Sequence, residues 1–235
     1  MITNINKILV ICPSHKRPQA AAELVKSFID KSGQLADIMI VCEEGELSTY
    51  SDAIKTDNRV TIAEATPGTR GMVRPLNQFA TEAAKTYFSV MFVGDDHRFR
   101  SKNWDKDFIF ELNKVPLVYA NDLFQRETLP TACAVRSDVI QALGYMALPS
   151  LRHLYVDNYW LALGKKIGIK YCVYLTIEHM HPAAGKGTDD EHYAAVNSNE
   201  MYTHDQKEFE RFIASEGVAQ EVWRYKVYLE NQVTI

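Results

Sequence analysis

Two adjacent aspartates close the segment "SVMFVGDDHRF", where an apolar run (Val90, Met91, Phe92, Val93) meets Gly94, Asp95, Asp96 and His97. Side-by-side carboxylates repel, and each favours water or a cation over the other. Adjacent residues on an extended chain point to opposite faces, so both reach one ion only at a turn, which Gly94 permits. Oxygen ligands without cysteine suit Mg2+ or Mn2+ better than zinc, and an added imidazole favours Mn2+. The bland alternative is that one aspartate caps a helix beginning near Asn103 while the other is solvated.

Two further places carry residues of the right type. In "YCVYLTIEHMHP", His179 and His181 are two apart and share one face of a strand; either imidazole could join a metal already held by carboxylate, and sequence does not separate them. In "YVDNYW", Asp157 sits early in a helix otherwise rich in apolar and aromatic residues. A first-turn acid is favourable there through the helix dipole alone. In a partly apolar site the same carboxylate becomes a general base.

Positioning these groups requires a sheet. "KILVICP" (7–13), "ADIMIVCEEG" (36–45), "NRVTIAEA" (58–65) and the run ending at "GDD" read as nearly all-apolar strands. Helices over 17–33 and about 72–86 alternate with them, which predicts an α/β domain with a mostly parallel sheet. Later come a helix in "NWDKDFIFELN", strands in "PLVYAND" and "LPTACAVR", and a helix in "SDVIQALG" with a Ser cap and a Gly stop. A helix over 155–168 and a strand over 169–182 follow, then a Gly/Lys/Asp-rich loop and two amphipathic helices.

Ligands of open parallel sheets bind at the carboxyl ends of the strands. Here those ends deliver Pro13, Ser14, His15, Lys16 and Arg17; Glu43 and Glu44; Thr66, Gly68, Thr69 and Arg70; Asp95, Asp96 and His97; and His179 with His181. Groups of both signs gather on one edge, as a phosphate-plus-metal ligand requires.

The 235 residues are 46% hydrophobic and 24% charged with a net charge of −4, which fits a soluble globular chain and gives no general basic surface for nucleic acid. The N-terminal apolar run, Ile8 to Cys12, is too short for a signal-peptide core or a membrane span. Cys12, Cys42, Cys133 and Cys172 form no CxxC pair and read as buried free thiols of a reducing compartment, so a cytoplasmic location is expected.

Taken in order, these segments resemble the GT-A fold glycosyltransferases, in particular the small inverting enzymes that use nucleotide-diphosphate sugars. "ILVICPSHKRP" looks like that family's opening strand, and "IMIVCEEG" is similar to its strand ending in acids that contact base and ribose. "GTRGMVRPLNQFATEAA" is similar to its Arg/Asn-bearing helix after a glycine loop, "VMFVGDDHRF" to its strand ending in the DXD metal motif, and "LYVDNYWLALGKKIG" to its catalytic-acid segment. The likeness spans about 6–182, with Gly94 in the first DXD position and Val156-Asp157 in place of a Glu-Asp pair.

The resemblance implies a GT-A-like catalytic domain over 1–184, its nucleotide half about 1–100 and its acceptor half about 101–184, followed by a loop and helical extension over 185–235. It implies Mn2+ or Mg2+ on Asp96 with His179 or His181, and Asp157 as the base that deprotonates an acceptor hydroxyl. It places a nucleotide-diphosphate sugar, a UDP-sugar foremost, against Pro13, Ser14, His15, Arg17, Glu43, Glu44, Arg70, Arg74, Asn77 and Asp95. Lys186, between Gly185 and Gly187, would fold over the phosphates, or remain a solvated loop lysine. The acceptor is unnamed; a modified nucleic-acid base stays among the candidates, and no membrane is implied. The C-terminal helices could cover the acceptor side or form a homodimer contact.

Two rivals remain. "PGTRGMVRPLNQF" is similar to the glycine-rich signature of sugar-nucleotide pyrophosphorylases, but lies after the third strand instead of the first. A non-catalytic nucleotide-sugar-binding module would share the fold yet have no use for a base at Asp157.

Overall fold

The structure is a computed structural model that describes residues 4–68, 71–186 and 198–233. The first half alternates strand and helix: β1 (Asn4–Pro13), α1 (Pro18–Lys31), β2 (Ala36–Cys42), α2 (Leu47–Ala53), β3 (Val60–Glu64), α3 (Val73–Ala83) and β4 (Tyr87–Phe92). Then follow β5 (His97–Phe99), α4 (Trp104–Leu112), β6 (Leu117–Asn121), β7 (Cys133–Arg136), α5 (Ser137–Leu143), α6 (Val156–Ile167) and β8 (Ile169–His179). Two helices end the chain, α7 (Asn199–Ala214) and α8 (Gly217–Val233).

The strands form one sheet in the order β3-β2-β1-β4-β7-β6-β8-β5. Pairing is parallel for β3 with β2, β2 with β1, β1 with β4, and β6 with β8, whereas β7 and β5 run against their neighbours. The other six strands therefore share one direction, and their carboxyl ends share one edge. The sheet is α/β and mostly parallel, as the apolar strands predict. Neither β5 nor α2 is visible in the hydrophobic pattern: β5 has only three residues, and α2 ("LSTYSDA") has a single buried residue, Tyr50.

Both faces of the sheet are covered, and the strands show it residue by residue. Ile8, Val10 and Cys12 of β1 enter a core with Leu24, Val25 and Phe28 of α1 and Trp104 and Phe108 of α4. Leu9 and Ile11 point the other way, into a second core with Leu76 and Ala80 of α3, Leu143 of α5 and Tyr159 and Trp160 of α6. Period-two alternation with both sides apolar is what a doubly covered strand demands. All four cysteines are free and buried.

One local expectation fails. Ser137 does not cap α5: it is the first helical residue, and its hydroxyl donates to the Tyr87 carbonyl at 2.7 Å instead, tying α5 to β4. The Gly stop holds, with Gly144 at φ +80° accepting the left-handed turn.

The C-terminal helices pack on the domain. Glu221 of α8, 3% exposed, accepts from the hydroxyls of Tyr159 (2.8 Å) and Tyr145, and Tyr225 bonds both Arg136 (2.7 Å) and Asp138 (3.0 Å). Among the described residues no helix is long and apolar enough to cross a membrane.

Candidate active site

At the end of β4 the chain turns sharply: the His97 amide donates to the Gly94 carbonyl at 3.0 Å. A Cβ on Gly94 would lie 2.6 Å from an Asp96 carboxylate oxygen and 3.2 Å from His97 Nδ1. A larger residue here would push the Asp96 carboxylate out of its place, which accounts for glycine where the DXD pattern has an acid.

The turn sends the two carboxylates apart, and each finds its own partner. Asp95, 6% exposed, accepts from the Ser14 hydroxyl at 2.6 Å and from Arg17 Nη1 at 2.9 Å. Ser14 is held in turn by the Tyr50 hydroxyl at 2.8 Å. Burial pushes the Asp95 pKa up to about 6, against the opposing pull of Arg17 and Ser14.

Asp96 sits between two imidazoles. Its Oδ2 is 3.1 Å from His179 Nε2 and its Oδ1 is 3.2 Å from His97 Nδ1. Burial works against ionisation, but the imidazoles beside it, His179 foremost, hold the carboxylate well below its ordinary range. The two rings stack, centroids 4.3 Å apart. Burial first, and then His179, lowers the His97 pKa.

One observation bears on a cation here. His97 Nδ1 already accepts the Gly94 N–H at 3.0 Å, so this nitrogen and the Asp96 oxygen facing it are both acceptors. Such an approach is unfavourable without positive charge beside it. Asp96, His97 and His179 each offer a ligand atom within 4.8 Å of the others, and among the described residues His97 Nε2 and His179 Nδ1 are buried without a hydrogen-bond partner. One carboxylate and two imidazoles fit a divalent ion such as Mn2+. His181 lies beside this cluster but outside it: its ring stacks on Phe124 at 4.6 Å, and its Nδ1 accepts the Ala183 amide at 3.0 Å.

Asp157 enters the same space from α6. A cleft of about 240 Å³ is lined by Pro13, Arg17, Asp95, Asp96, His97, His179 and His181 from the strand ends and the turns after them, and by Thr131, His153, Tyr155 and Asp157 from the loops before β7 and α6 and from α6 itself. Burial raises the Asp157 pKa to about 6, although its Oδ1 accepts the Asn158 amide at 2.9 Å. A carboxyl tuned there is ionised at neutral pH and basic enough to accept a proton.

The remaining expected residues distribute unevenly. His15 Nδ1 lies 3.0 Å from Glu43 and 3.3 Å from Glu46, which joins the ends of β1 and β2. Glu44 and Arg74 are exposed and do not line the cleft. Asn77 is turned to a loop: its amide donates to the Ala147 carbonyl at 2.7 Å and accepts from the Met146 and Ala147 amides. Lys186 pairs with Glu178 at 2.8 Å, and Arg70 lies outside the described residues.

His97 is the residue the sequence reading delivered to the strand edge without giving it to the metal; its place directly after the two aspartates, on the turn, was the available signal. Glu46, Thr131 and Tyr155 had no such signal. Tyr155 adopts φ +62° as the residue before α6.

No protein-family model and no curated protein matches the chain. Solved structures do. The mannosyltransferase PcManGT from Pyrobaculum calidifontis, in complex with GDP-Man and Mn2+, superposes with a TM-score of 0.61 at 12% identity, covering 97% of this chain and 75% of its own. The chain has a GT-A-like fold. S. aureus TarS 1–349 in complex with UDP-GlcNAc gives a TM-score of 0.59 at 14% identity over 84% of this chain and 64% of that one. This chain spans only 37% of a longer TarS structure. A 4-diphosphocytidyl-2C-methyl-D-erythritol synthase from Anaerococcus prevotii matches at 0.50 and 12% identity, over 73% of this chain and 87% of its own.

Proposed function

We propose that this protein is a metal-dependent glycosyltransferase that moves a sugar from a nucleotide-diphosphate donor to an acceptor hydroxyl with inversion at the anomeric carbon. The observation that carries the reading is that Asp96, His97 and His179 share one cleft with Asp157, whose pKa stands near 6. The solved neighbours named for GDP-Man with Mn2+ and for UDP-GlcNAc support the donor class.

Asp96, His97 and His179 would hold a divalent cation, with His181 beside them, and when bound that ion supplies charge to offset the leaving diphosphate. Arg17, steadied by Asp95, adds a guanidinium at the same rim. Pro13 lines the cleft, and Ser14 and the His15–Glu43 pair stand next to it at the ends of β1 and β2, where nucleoside and ribose would lie. Asp157 accepts the acceptor's proton as its oxygen attacks the anomeric carbon and the bond to the diphosphate breaks. The same carboxylate orients that hydroxyl beforehand. Lys186 would have to leave Glu178 to reach the phosphates.

A thermal-shift titration of the wild type and Asp96→Ala with UDP, GDP, ADP and TDP, each with and without Mn2+, tests the site. At a hundred times its dissociation constant a ligand of the folded state stabilises by about 2.7 kcal/mol. The expected result is stabilisation by one diphosphate that needs Mn2+ and is lost in the variant. The same shift without metal or in the variant, or no shift at all, would remove the site. A nucleotidyl transferase is the second reading, favoured by the cytidyl-synthase neighbour; it predicts stabilisation by a nucleoside triphosphate and release of pyrophosphate.

A further inference from the structure

The wall that carries Asp157 is held by a residue 48 positions further along the chain. Asp205 of α7 is fully buried, 0% exposed. Its carboxylate accepts three consecutive backbone amides: Arg152 at 3.0 Å, His153 at 2.8 Å and Leu154 at 2.7 Å. His204 Nδ1 adds a fourth contact at 2.7 Å. Immediately after these amides comes Tyr155 in its left-handed conformation, then the first turn of α6 with Asp157.

The other side of the same segment is fixed too. The Arg152 carbonyl accepts the Val73 amide at 3.1 Å, and a Cβ on Gly71 would lie 2.3 Å from it. The loop therefore runs between α3 and α7 with no slack, and α7 adds ring contacts from Tyr202 and Phe209 to Tyr155. A buried carboxylate that takes three amides is a strong local constraint, because bonds from backbone amides to a carboxylate are short and directional. These three contacts are all to backbone amides, so they act on backbone position.

Resting on the glycosyltransferase reading, we infer that Asp205 is a positioning residue: through the amides of 152–154 it sets the entry angle of α6 and so the place of the Asp157 carboxylate in the cleft. The C-terminal helix α7 is then part of the catalytic unit. A base displaced by about 1 Å loses on the order of 10²-fold in rate, while the hydrogen bonds of Asp205 itself go to the amides of 152–154 and to His204, not to the ends of β1, β2 or β4.

The experiment compares wild type, Asp205→Ala and Asp205→Asn by amide hydrogen exchange, Mn2+-dependent thermal shift with UDP or the diphosphate that binds, and release of that diphosphate from its sugar donor. For Asp205→Ala the amides of 152–154 should exchange at least about tenfold faster and turnover should fall by about 10²-fold, with the diphosphate shift kept. Asp205→Asn retains one acceptor oxygen and should fall between, which serves if the alanine variant does not fold. Three results overturn the inference: unchanged exchange at 152–154; freed amides with unchanged turnover; or loss of the diphosphate shift together with turnover, which marks general collapse. Wild type that neither binds a diphosphate nor releases one overturns the glycosyltransferase reading and the catalytic role of Asp205 with it, whereas the exchange data still report the clamp by itself.

Discussion

The two walls of the cleft are held by different means. On the strand side, at the ends of β1, β4 and β8, side chains hold side chains: Ser14 and Arg17 on Asp95, His97 and His179 on Asp96. Elsewhere around the cleft, after β6 and before α6, carboxylates hold backbone. Asp122, 1% exposed, accepts the amides of Phe124 (2.9 Å) and Arg126 (2.7 Å) and the Thr131 hydroxyl (2.8 Å), and Asp205 takes the three amides before α6. The first arrangement can exchange a proton or a ligand without moving the chain. The second cannot change without moving it. A site that must bind charge on one side and keep a base in place on the other benefits from that division.

Asp96→Ala should break the strand wall most severely. It removes the one carboxylate between two imidazoles, and with it the metal subsite. Loss of several kcal/mol of transition-state stabilisation corresponds to on the order of 10³-fold in donor turnover. Stopped or continuous assay of nucleotide release reads this directly; a variant within tenfold of wild type would show that no metal is used there.

Asp157→Asn should be the sharpest contrast across the cleft. Turnover should drop by about 10²–10⁴-fold, while Mn2+-dependent diphosphate binding stays. Wild-type turnover should rise with pH through about 6, where Asp157 ionises, and level off above it. Stability carries the opposite sign. A carboxyl whose folded pKa is raised from 3.8 to about 6 binds its proton more tightly when folded, so its contribution falls as pH rises across that window. Asp157→Asn should therefore be more stable than wild type at pH 7 by on the order of 1–3 kcal/mol, the upper figure before allowance for solvent at the cleft. That gap should close below about pH 4. A gap that persists there would assign the gain to something other than the buried charge.

The same contrast decides what could be read from the sequence. Every group of the strand wall sits where an apolar run stops, so the period-two pattern that reveals β1, β4 and β8 also delivers Ser14, Arg17, Asp95, Asp96, His97 and His179 to one edge. What the pattern could not give was the sorting. Whether Asp95 and Asp96 share an ion or part company depends on the Gly94 turn and on Ser14, 81 residues away. His179 and His181 look equivalent on a strand, but β8 ends at His179 and the chain turns before His181. The opposite wall was nearly silent. Asp122 and Asp205 are ordinary acids in polar stretches, and a carboxylate that clamps amides elsewhere leaves no local signature at either end. Asn77 shows the converse: a residue that fits a donor-binding pattern has its amide engaged by the Met146–Ala147 backbone.

Ser14→Ala tests the strand wall without touching the metal cluster. It takes from Asp95 its shortest bond and from Tyr50 its partner. Bonds to a charged acceptor contribute about 1.5–3 kcal/mol, so denaturation should show a loss of about 2 kcal/mol at pH 8. Since Ser14 favours the ionised form of Asp95, the loss should be smaller at pH 5, where the carboxyl is protonated. An equal loss at both values would mean that Tyr50 is the partner that matters.

Thr131→Val is the mildest change and the most direct probe of the backbone-held wall. The substitution keeps shape and removes only the hydroxyl that donates to Asp122 Oδ2. Asp122 retains both of its backbone amides, so the segment 124–126 should stay in place, with Leu123 and Arg126 still in their left-handed conformations at φ +58° and +52°. The cost should be about 1 kcal/mol of stability, with no change in Mn2+-dependent diphosphate binding. Thr131 lines the cleft together with Asp157, and the expectation is that any kinetic effect falls on the acceptor's KM and leaves the donor's unchanged. If the donor KM moves instead, the two walls are coupled through Asp122, whose Oδ2 also lies 3.9 Å from His179 Nδ1, and the division between a charge-exchanging wall and a position-keeping wall is wrong at that point.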